Sequence, residues 1–272
     1  MPHFICPVCN SKLIQKETIY QCQNGHCYDQ AKGGYVNLLM SQAQKGKRHG
    51  DDKAMTLART RFLEAGHYQC LLDTLLAAVK LYAKDECVFL DMGCGEGFYS
   101  DKIYRALKAD SKQVALIGVD ISKEALKAFA RRNKEGELAV ASAFKLPIAN
   151  QSCDIVLSVF APFSRTEVQR ILAPGGVFIK AYPLEKHLLS LKKLIYDRAY
   201  ENKLPAKDLE GFALKESYSV RDFIHLRSNE EIRDLFQMTP YFYKTGRSDQ
   251  EKLLAVAQLD TEIEFGVDVY QQ

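Results

Sequence analysis

No run of apolar residues in the 272-residue chain approaches the ~18 needed to span a bilayer. The longest candidates, such as Val177-Phe178-Ile179, are the size of a strand. Membrane spans are therefore excluded and no membrane partner is expected. Proline and glycine are modest, at 8 and 16 residues, beside 47% apolar and 26% charged residues. That balance excludes collagen-like, low-complexity and mainly disordered classes. A strong charge of one sign is also missing. Thirty-seven basic against thirty-four acidic side chains leave +3, too little to imply nucleic acid. The whole excess lies in residues 1–53, which hold seven Lys/Arg and four Asp/Glu, so any bias toward a polyanion sits there. Met1-Pro2-His3-Phe4-Ile5-Cys6 has no basic stretch followed by an apolar core, so a cytoplasmic protein is expected.

Cysteine is present but uneven. Cys6, Cys9, Cys22 and Cys27 fall within 27 residues, whereas Cys70, Cys87, Cys94 and Cys153 are scattered singly. In a reducing compartment a cluster of this kind points to a metal rather than to disulfides. Cys6-Pro7-Val8-Cys9 is one knuckle and Cys22-Gln23-Asn24-Gly25-His26-Cys27 a second, with short β-rich stretches near residues 12–14 and 19–21 between them. This is the layout of a small zinc ribbon. The preferred ligands are Cys6, Cys9, Cys22 and His26, with Cys27 competing for the fourth place. A redox pair would sit in a βαβ context, which is absent here. About 40 residues bury too little apolar surface to fold alone, so the ion is expected to supply folding energy. Loss of zinc through Cys6→Ser is expected to unfold this module and to spare cofactor binding. The expected divisions are residues 1–40 as the ribbon, 41–53 as a polar linker with a basic cluster at Lys45, Lys47 and Arg48, and 54–272 as the large domain.

In the large domain, helices are expected from about Asp52 to Gly66 and over 71–82. A buried strand, 87–91, then runs into Met92-Gly93-Cys94-Gly95-Glu96-Gly97-Phe98. Phe98 breaks the dinucleotide fingerprint, and a P-loop's GK[ST] is missing. Asp91 before the glycines suits a cationic or zwitterionic ligand. Further strands are expected at 114–120, 138–141, 154–160 and 177–181, helices at 121–132 and 168–173, and a turn at Pro174-Gly175-Gly176. Alternating strands and helices imply a parallel sheet that binds its ligand at the strands' carboxyl ends. Asp120 lies 27 residues after Gly93, near the interval at which an acid meets a ribose diol. Leu188, Leu191, Leu194 and Ile195 form a helix face, with Lys192, Lys193 and Arg198 on its other side, placed as solvated surface or, as the alternative, an RNA-facing stripe. A late strand is expected over 212–226, a helix over 230–237 and a final antiparallel strand over 263–270.

The stretches LDMGCGEG (90–97), GVDIS (118–122), the Asp154–Pro162 strand and LAPGGVFI (172–179) resemble a class I S-adenosylmethionine-dependent methyltransferase. The resemblance implies a Rossmann-like α/β fold, with a seven-stranded sheet whose last strand is antiparallel, preceded by the zinc ribbon. It places Gly93, Gly95 and Gly97, with Asp91, Glu96 and Phe98, by the methionine half of S-adenosyl-L-methionine. Asp120 falls on the ribose, and Ser142 and Ala143 by the adenine. With FICPVCNSKL, DQAKGGYVNLL (29–39), FLEAGHYQ (62–69), HLLSLKKLIY (187–196) and LFQMTPY (235–241), the whole chain is similar to the bacterial 23S rRNA (guanine-N1)-methyltransferases. That similarity implies methyl transfer to N1 of a guanine in a 23S rRNA hairpin loop, RNA contact by the ribbon, and a homodimer. It adds Tyr68 and His187 as cofactor contacts. A general base, the guanine modified, and naked RNA or particle as substrate stay open. So do two other functions: methylation of another acceptor such as tRNA, and an RNA-binding assembly module with an inert fold. Phe160 and Phe163, where amino-group methyltransferases carry a polar-Pro-Pro-aromatic motif, suit either stacking on a base or core packing.

Overall fold

The computed structural model of the protein describes residues 3–40 and 50–272; the Lys45, Lys47 and Arg48 cluster lies outside them. The N-terminal segment forms β1 (Leu13–Lys16), β2 (Ile19–Cys22) and β3 (Cys27–Asp29), a small antiparallel sheet in that order. A further strand, β4 (Tyr35–Asn37), leaves this sheet. Two helices follow, α1 (Lys53–Glu64) and α2 (Gln69–Tyr82). Asp52 caps α1 by accepting the Met55 N–H at 2.9 Å, and Gly66 ends the turn at φ +83°.

The alternation then runs β5 (Glu86–Met92), α3 (Phe98–Ala109), β6 (Gln113–Asp120), α4 (Lys123–Arg132), β7 (Glu137–Val140), β8 (Cys153–Val159), α5 (Arg165–Ile171) and β9 (Leu172–Pro183). After α6 (Leu189–Ile195) come β10 (Ala213–Leu226), α7 (Asn229–Gln237), the short α8 (Tyr241–Lys244) and α9 (Arg247–Glu251), and β11 (Leu259–Gln271). One sheet holds eight strands in the order β10-β11-β9-β8-β5-β6-β7-β4. β4 to β9 pair in parallel, and β11 is antiparallel to both its neighbours. Chain order reverses at β5, which lies between β6 and β8. A crevice for a ligand opens at such a reversal, beyond the carboxyl ends of the strands.

Three sequence expectations change. The sheet has eight strands, not seven, because β4 pairs with β7 from Tyr35↔Leu138 to Asn37↔Val140 and covers an edge that would otherwise expose unpaired backbone groups. Pro174-Gly175-Gly176 is not a turn ahead of a strand. It bulges inside β9, where the register against β8 jumps from Cys153↔Leu172 to Ile155↔Val177. Lys192 is not on the solvent side. It is fully buried, with Nζ donating to Asn202 Oδ1 at 2.7 Å and to the Tyr200 carbonyl at 3.2 Å. Its charge lies 5.0 and 5.4 Å from the Tyr200 and Tyr241 ring centres. Helical periodicity alone does not reveal that the later segment 196–202 folds back over it.

Both faces of the parallel part of the sheet are buried, so β5 to β9 carry apolar side chains at successive positions, whereas the edge strand β10 is largely exposed. Phe89, Leu116, Ile155 and Ile179 meet α2, α3 and α4 through Leu75, Ile103 and Phe129. Leu90, Met92, Ile117 and Val156 face the other way. Between β7 and β8 the chain forms no helix, and Phe4, Leu13 and Tyr20 of the N-terminal module cover that face instead. The Ile5 N–H donates to the Pro147 carbonyl at 2.9 Å, and the His3 ring contacts Glu137 at 2.8 Å.

Candidate metal centre and cofactor cleft

Cys6 and Cys9 sit on one knuckle, Cys22 and His26 on the β2–β3 turn. Their donor atoms all lie within 4.8 Å of one another. Cys9 Sγ is 3.7 Å from Cys22 Sγ, and His26 Nδ1 is 3.5 and 3.3 Å from the Cys6 and Cys22 sulfurs. A tetrahedron with Zn–S of about 2.3 Å and Zn–N of about 2.0–2.1 Å has edges of about 3.5–3.8 Å, so the four donors fit zinc. Hydrogen bonding from Ser11 lowers the Cys9 thiol to about 5, toward the thiolate a metal requires. Cys27 is exposed and turns its sulfur toward the Gly25 carbonyl, outside the cluster. His26, not Cys27, completes the four-donor cluster.

The glycine loop spans the end of β5 and the start of α3. Gly93, Gly95 and Gly97 all have positive φ, at +77°, +55° and +80°. Of the three, only Gly95 would accept a Cβ without a clash, its nearest neighbour being Arg59 Nη1 in ordinary contact at 3.5 Å. At Gly97 a Cβ would overlap the Phe129 ring, and at Gly93 the Ala161 methyl. Packing therefore requires glycine at two of the three positions, and only Gly95 is free of that demand.

Asp91 is buried. One carboxylate oxygen accepts from the Ser100 hydroxyl, and the other, Oδ1, has no hydrogen-bond partner. Burial, reinforced by Asp120 and opposed by Ser100, raises its pKa to about 7. A buried orphan oxygen at the head of the glycine loop suits a cationic partner. Asp120 ends β6. Its Oδ2 accepts the Gly95 N–H at 2.8 Å and its Oδ1 the Ser122 N–H at 2.7 Å, which fixes the carboxylate beside the loop with one lone pair on each oxygen still available. Ser142 and Ala143 follow β7, next to a groove lined by Ile5, Pro7, Leu38, Met40 and Lys145.

Glu96 and Phe98 are placed differently from the sequence reading. Glu96 is buried and ion-paired with Arg132 at 2.7 Å, and the Arg132 guanidinium lies 5.6 Å from the Phe98 ring centre. A buried carboxylate needs such a partner, so both side chains are engaged with Arg132 of α4.

The family model described as a methyltransferase domain matches residues 83–238, and the model for the RlmA N-terminal zinc ribbon matches residues 4–47. A Micromonospora griseorubida protein provisionally named a 23S rRNA (guanine-N(1)-)-methyltransferase is 32% identical over 207 residues, covering 70% of this chain and 69% of its own. The chain belongs to the 23S rRNA (guanine-N1)-methyltransferase family. A second relative, the 23S rRNA (guanine(748)-N(1))-methyltransferase of Streptomyces fradiae, is 29% identical over 94% of this chain and 79% of its own. Among solved structures, the provisional methyltransferase in complex with the Haloferax volcanii Trm112 activator superimposes with a TM-score of 0.50 at 18% identity, over 83% of this chain and 98% of its own; it shows the fold.

In this methyltransferase, Tyr68 and His187 are far apart in sequence and meet in space. Tyr68 Oη lies 3.4 Å from His187 Nε2, both rings are buried, and each packs against Phe265 at 4.8–4.9 Å between centres. The Glu264 N–H donates to His187 Nδ1 at 3.2 Å, which places the neutral ring's proton on Nε2. Burial, aided by Lys192, lowers the imidazole to about 3. His187 is therefore a fixed donor. Above it lies Phe160, half-exposed, with its ring stacked at 24° and 6.3 Å. Its φ of +55° is rare for a bulky side chain and marks local strain. Phe163 instead packs on Phe178 at 4.9 Å. Arg59, which contacts the Gly95 position, and Asp51, which pairs with it just ahead of α1, carry no motif in the sequence; only the packing of α1 brings Arg59 there.

Proposed function

We propose that the protein transfers the methyl group of S-adenosyl-L-methionine to N1 of a guanine in a hairpin loop of 23S rRNA. The observation that carries this reading is that Asp91, with an unpartnered buried oxygen, and Asp120, bonded to the Gly95 N–H, flank the glycine loop at the switch point of the sheet, in a chain of this family. The cofactor, when bound, supplies a methyl already activated on a sulfonium. What remains for the protein is alignment, worth up to ~7–11 kcal/mol in favourable systems. Asp91 takes the ammonium of the methionine half and Asp120 the ribose hydroxyls. Ser142 and Ala143 border the adenine, while Tyr68 and His187 bound the cleft as donors. Phe160 offers a face on which an unpaired guanine stacks, the common mode for splayed-out bases. His187 holds its proton on Nε2, so the guanine N1 proton does not pass to it. The zinc ribbon as an RNA contact, a homodimer and a cytoplasmic setting belong to the same reading.

Asp91 gives this reading a pH signature. Its folded pKa is raised, so the carboxyl is neutral below about 7 and ionised above. Cofactor affinity is expected to rise between about pH 6 and 7.5 and to stop rising where the ligand's own α-amino group deprotonates, near pKa 7.7–8.0. Calorimetric titration across that range checks it. Asp91→Asn is expected to weaken binding and flatten the rise; a rise that persists in the variant assigns it to another group.

The function itself is tested by methyl transfer from labelled cofactor to unmodified 23S rRNA and to tRNA, followed by nucleoside mass spectrometry. N1-methylguanosine in 23S rRNA alone is the expected result. Label in tRNA moves the acceptor and keeps the chemistry. Cofactor bound with no transfer to RNA or ribosomal particle makes the fold an inert binding module.

A further inference from the structure

One charged group in the cleft is left without a task. Arg59 projects from α1 over the glycine loop, with Nη1 3.5 Å from where a Cβ on Gly95 would stand. Its positive charge favours the ionised forms of Glu96, Tyr99 and Asp120 around it. Two buried polar atoms in this neighbourhood, Asp91 Oδ1 and the Tyr99 hydroxyl, have no partner. Arg59 is itself occupied: Nη1 is ion-paired with Asp51, and Nη2 donates to the Met238 carbonyl at 3.0 Å. The side chains of the pair are only 25% and 21% exposed, so water screens it weakly. The backbone of Asp51 is also tied to the ribose side. Its carbonyl accepts from Ser122 Oγ at 2.6 Å, two residues beyond Asp120. A Cβ on the preceding Gly50 would stand 2.9 Å from Ile121 and Ser122 side-chain atoms.

Resting on the methyltransferase reading, we infer that Arg59 recognises the carboxylate of the cofactor's methionine half, and that Asp51 is a built-in competitor for the same guanidinium nitrogen. The methionine half is a zwitterion. Asp91 holds an unmet acceptor for its ammonium, and Arg59 holds the planar donor pair that matches a carboxylate. Nη1 is the nitrogen aimed at Gly95, and it is the one Asp51 occupies. An incoming carboxylate therefore exchanges with that of Asp51, with no covalent bond made or broken. Binding through this contact makes the cleft selective for ligands that keep the amino-acid half, and S-adenosylhomocysteine keeps it, so the product is retained by the same residue.

The test is calorimetric titration of the full chain with S-adenosylmethionine, S-adenosylhomocysteine and 5′-methylthioadenosine, which lacks the amino-acid half. Arg59→Met is expected to weaken the first two by about ten- to a hundredfold, as loss of a charged hydrogen-bond pair does, and to leave the third within about twofold. Asp51→Asn is expected to tighten S-adenosylmethionine by up to about fivefold, and to change nothing in the Arg59→Met background. Equal weakening of all three ligands by Arg59→Met, or weaker binding by Asp51→Asn, overturns the inference. Should Arg59→Met fail to fold, the sign of the Asp51→Asn effect decides alone. A wild-type chain that binds S-adenosylmethionine no tighter than methylthioadenosine overturns the carboxylate site and leaves the methyltransferase reading standing. One that binds none of the three overturns both.

Discussion

Removing zinc is expected to cost the protein its cofactor as well as its N-terminal fold. The sequence considered alone points the other way, to a ribbon that unfolds without consequence for a separate domain. The structure joins the two. Phe4 and Leu13 are fully buried in one core with Leu90, Met92 and Ile117. β4 completes the edge of the large sheet, and the Leu38 N–H continues the ladder to the Val140 carbonyl at 3.0 Å. Leu38 to Met40 then line the groove beside Ser142. A structural zinc ion contributes on the order of 10 kcal/mol to folding, and a module this small has little else to hold it. Chelation, or Cys6→Ser, is expected to uncover one face of the sheet, lower the melting temperature by roughly ten degrees, equivalent to about 3–5 kcal/mol in a chain of this size, and weaken S-adenosylmethionine at least about tenfold. Titration of chelated and zinc-restored protein measures this. Unchanged affinity in metal-free protein would sink the coupling. Cys27→Ser is the control: it is expected to keep one zinc per chain, because its sulfur lies outside the cluster.

Gly97→Ala is expected to cost the protein much of its stability. The residue sits at φ +80° as the N-cap of α3, and a Cβ there overlaps the Phe129 ring, which is fully buried between α4 and the sheet. The left-handed conformation costs a non-glycine residue roughly 1–2 kcal/mol, and overpacking a rigid core typically adds roughly 1–3, so a loss of about 2–5 kcal/mol is expected in denaturant or thermal unfolding. Gly95→Ala separates packing from binding. Its Cβ meets only the end of the Arg59 side chain, at 3.5 Å. It is expected to lose no more than about 1–2 kcal/mol of stability while weakening the cofactor, because the added methyl occupies the loop's open side. If both variants lose stability equally, the division between packing glycines and a ligand-facing glycine is wrong.

The sequence by itself determined the alternation of strands and helices, the acid-tipped strands at Asp91 and Asp120, and the clustering of cysteines for a shared metal. These are local signals: strand and helix periodicity, glycine at left-handed positions, and cysteines too close in sequence for anything but a shared ion. Family wording added Tyr68 and His187, which no local pattern singles out. Only the tertiary structure decided the rest. It excluded Cys27, drew Glu96 away to Arg132, buried Lys192 under a segment that follows it, and set His187 as a donor through a backbone N–H from β11, 77 positions away. It also brought β4 across to β7 and Arg59 over Gly95. Each of these depends on which distant residue fills the space beside a side chain. A buried charge or an empty Cβ position takes its meaning from that neighbour, and the neighbour exists only once the chain has folded.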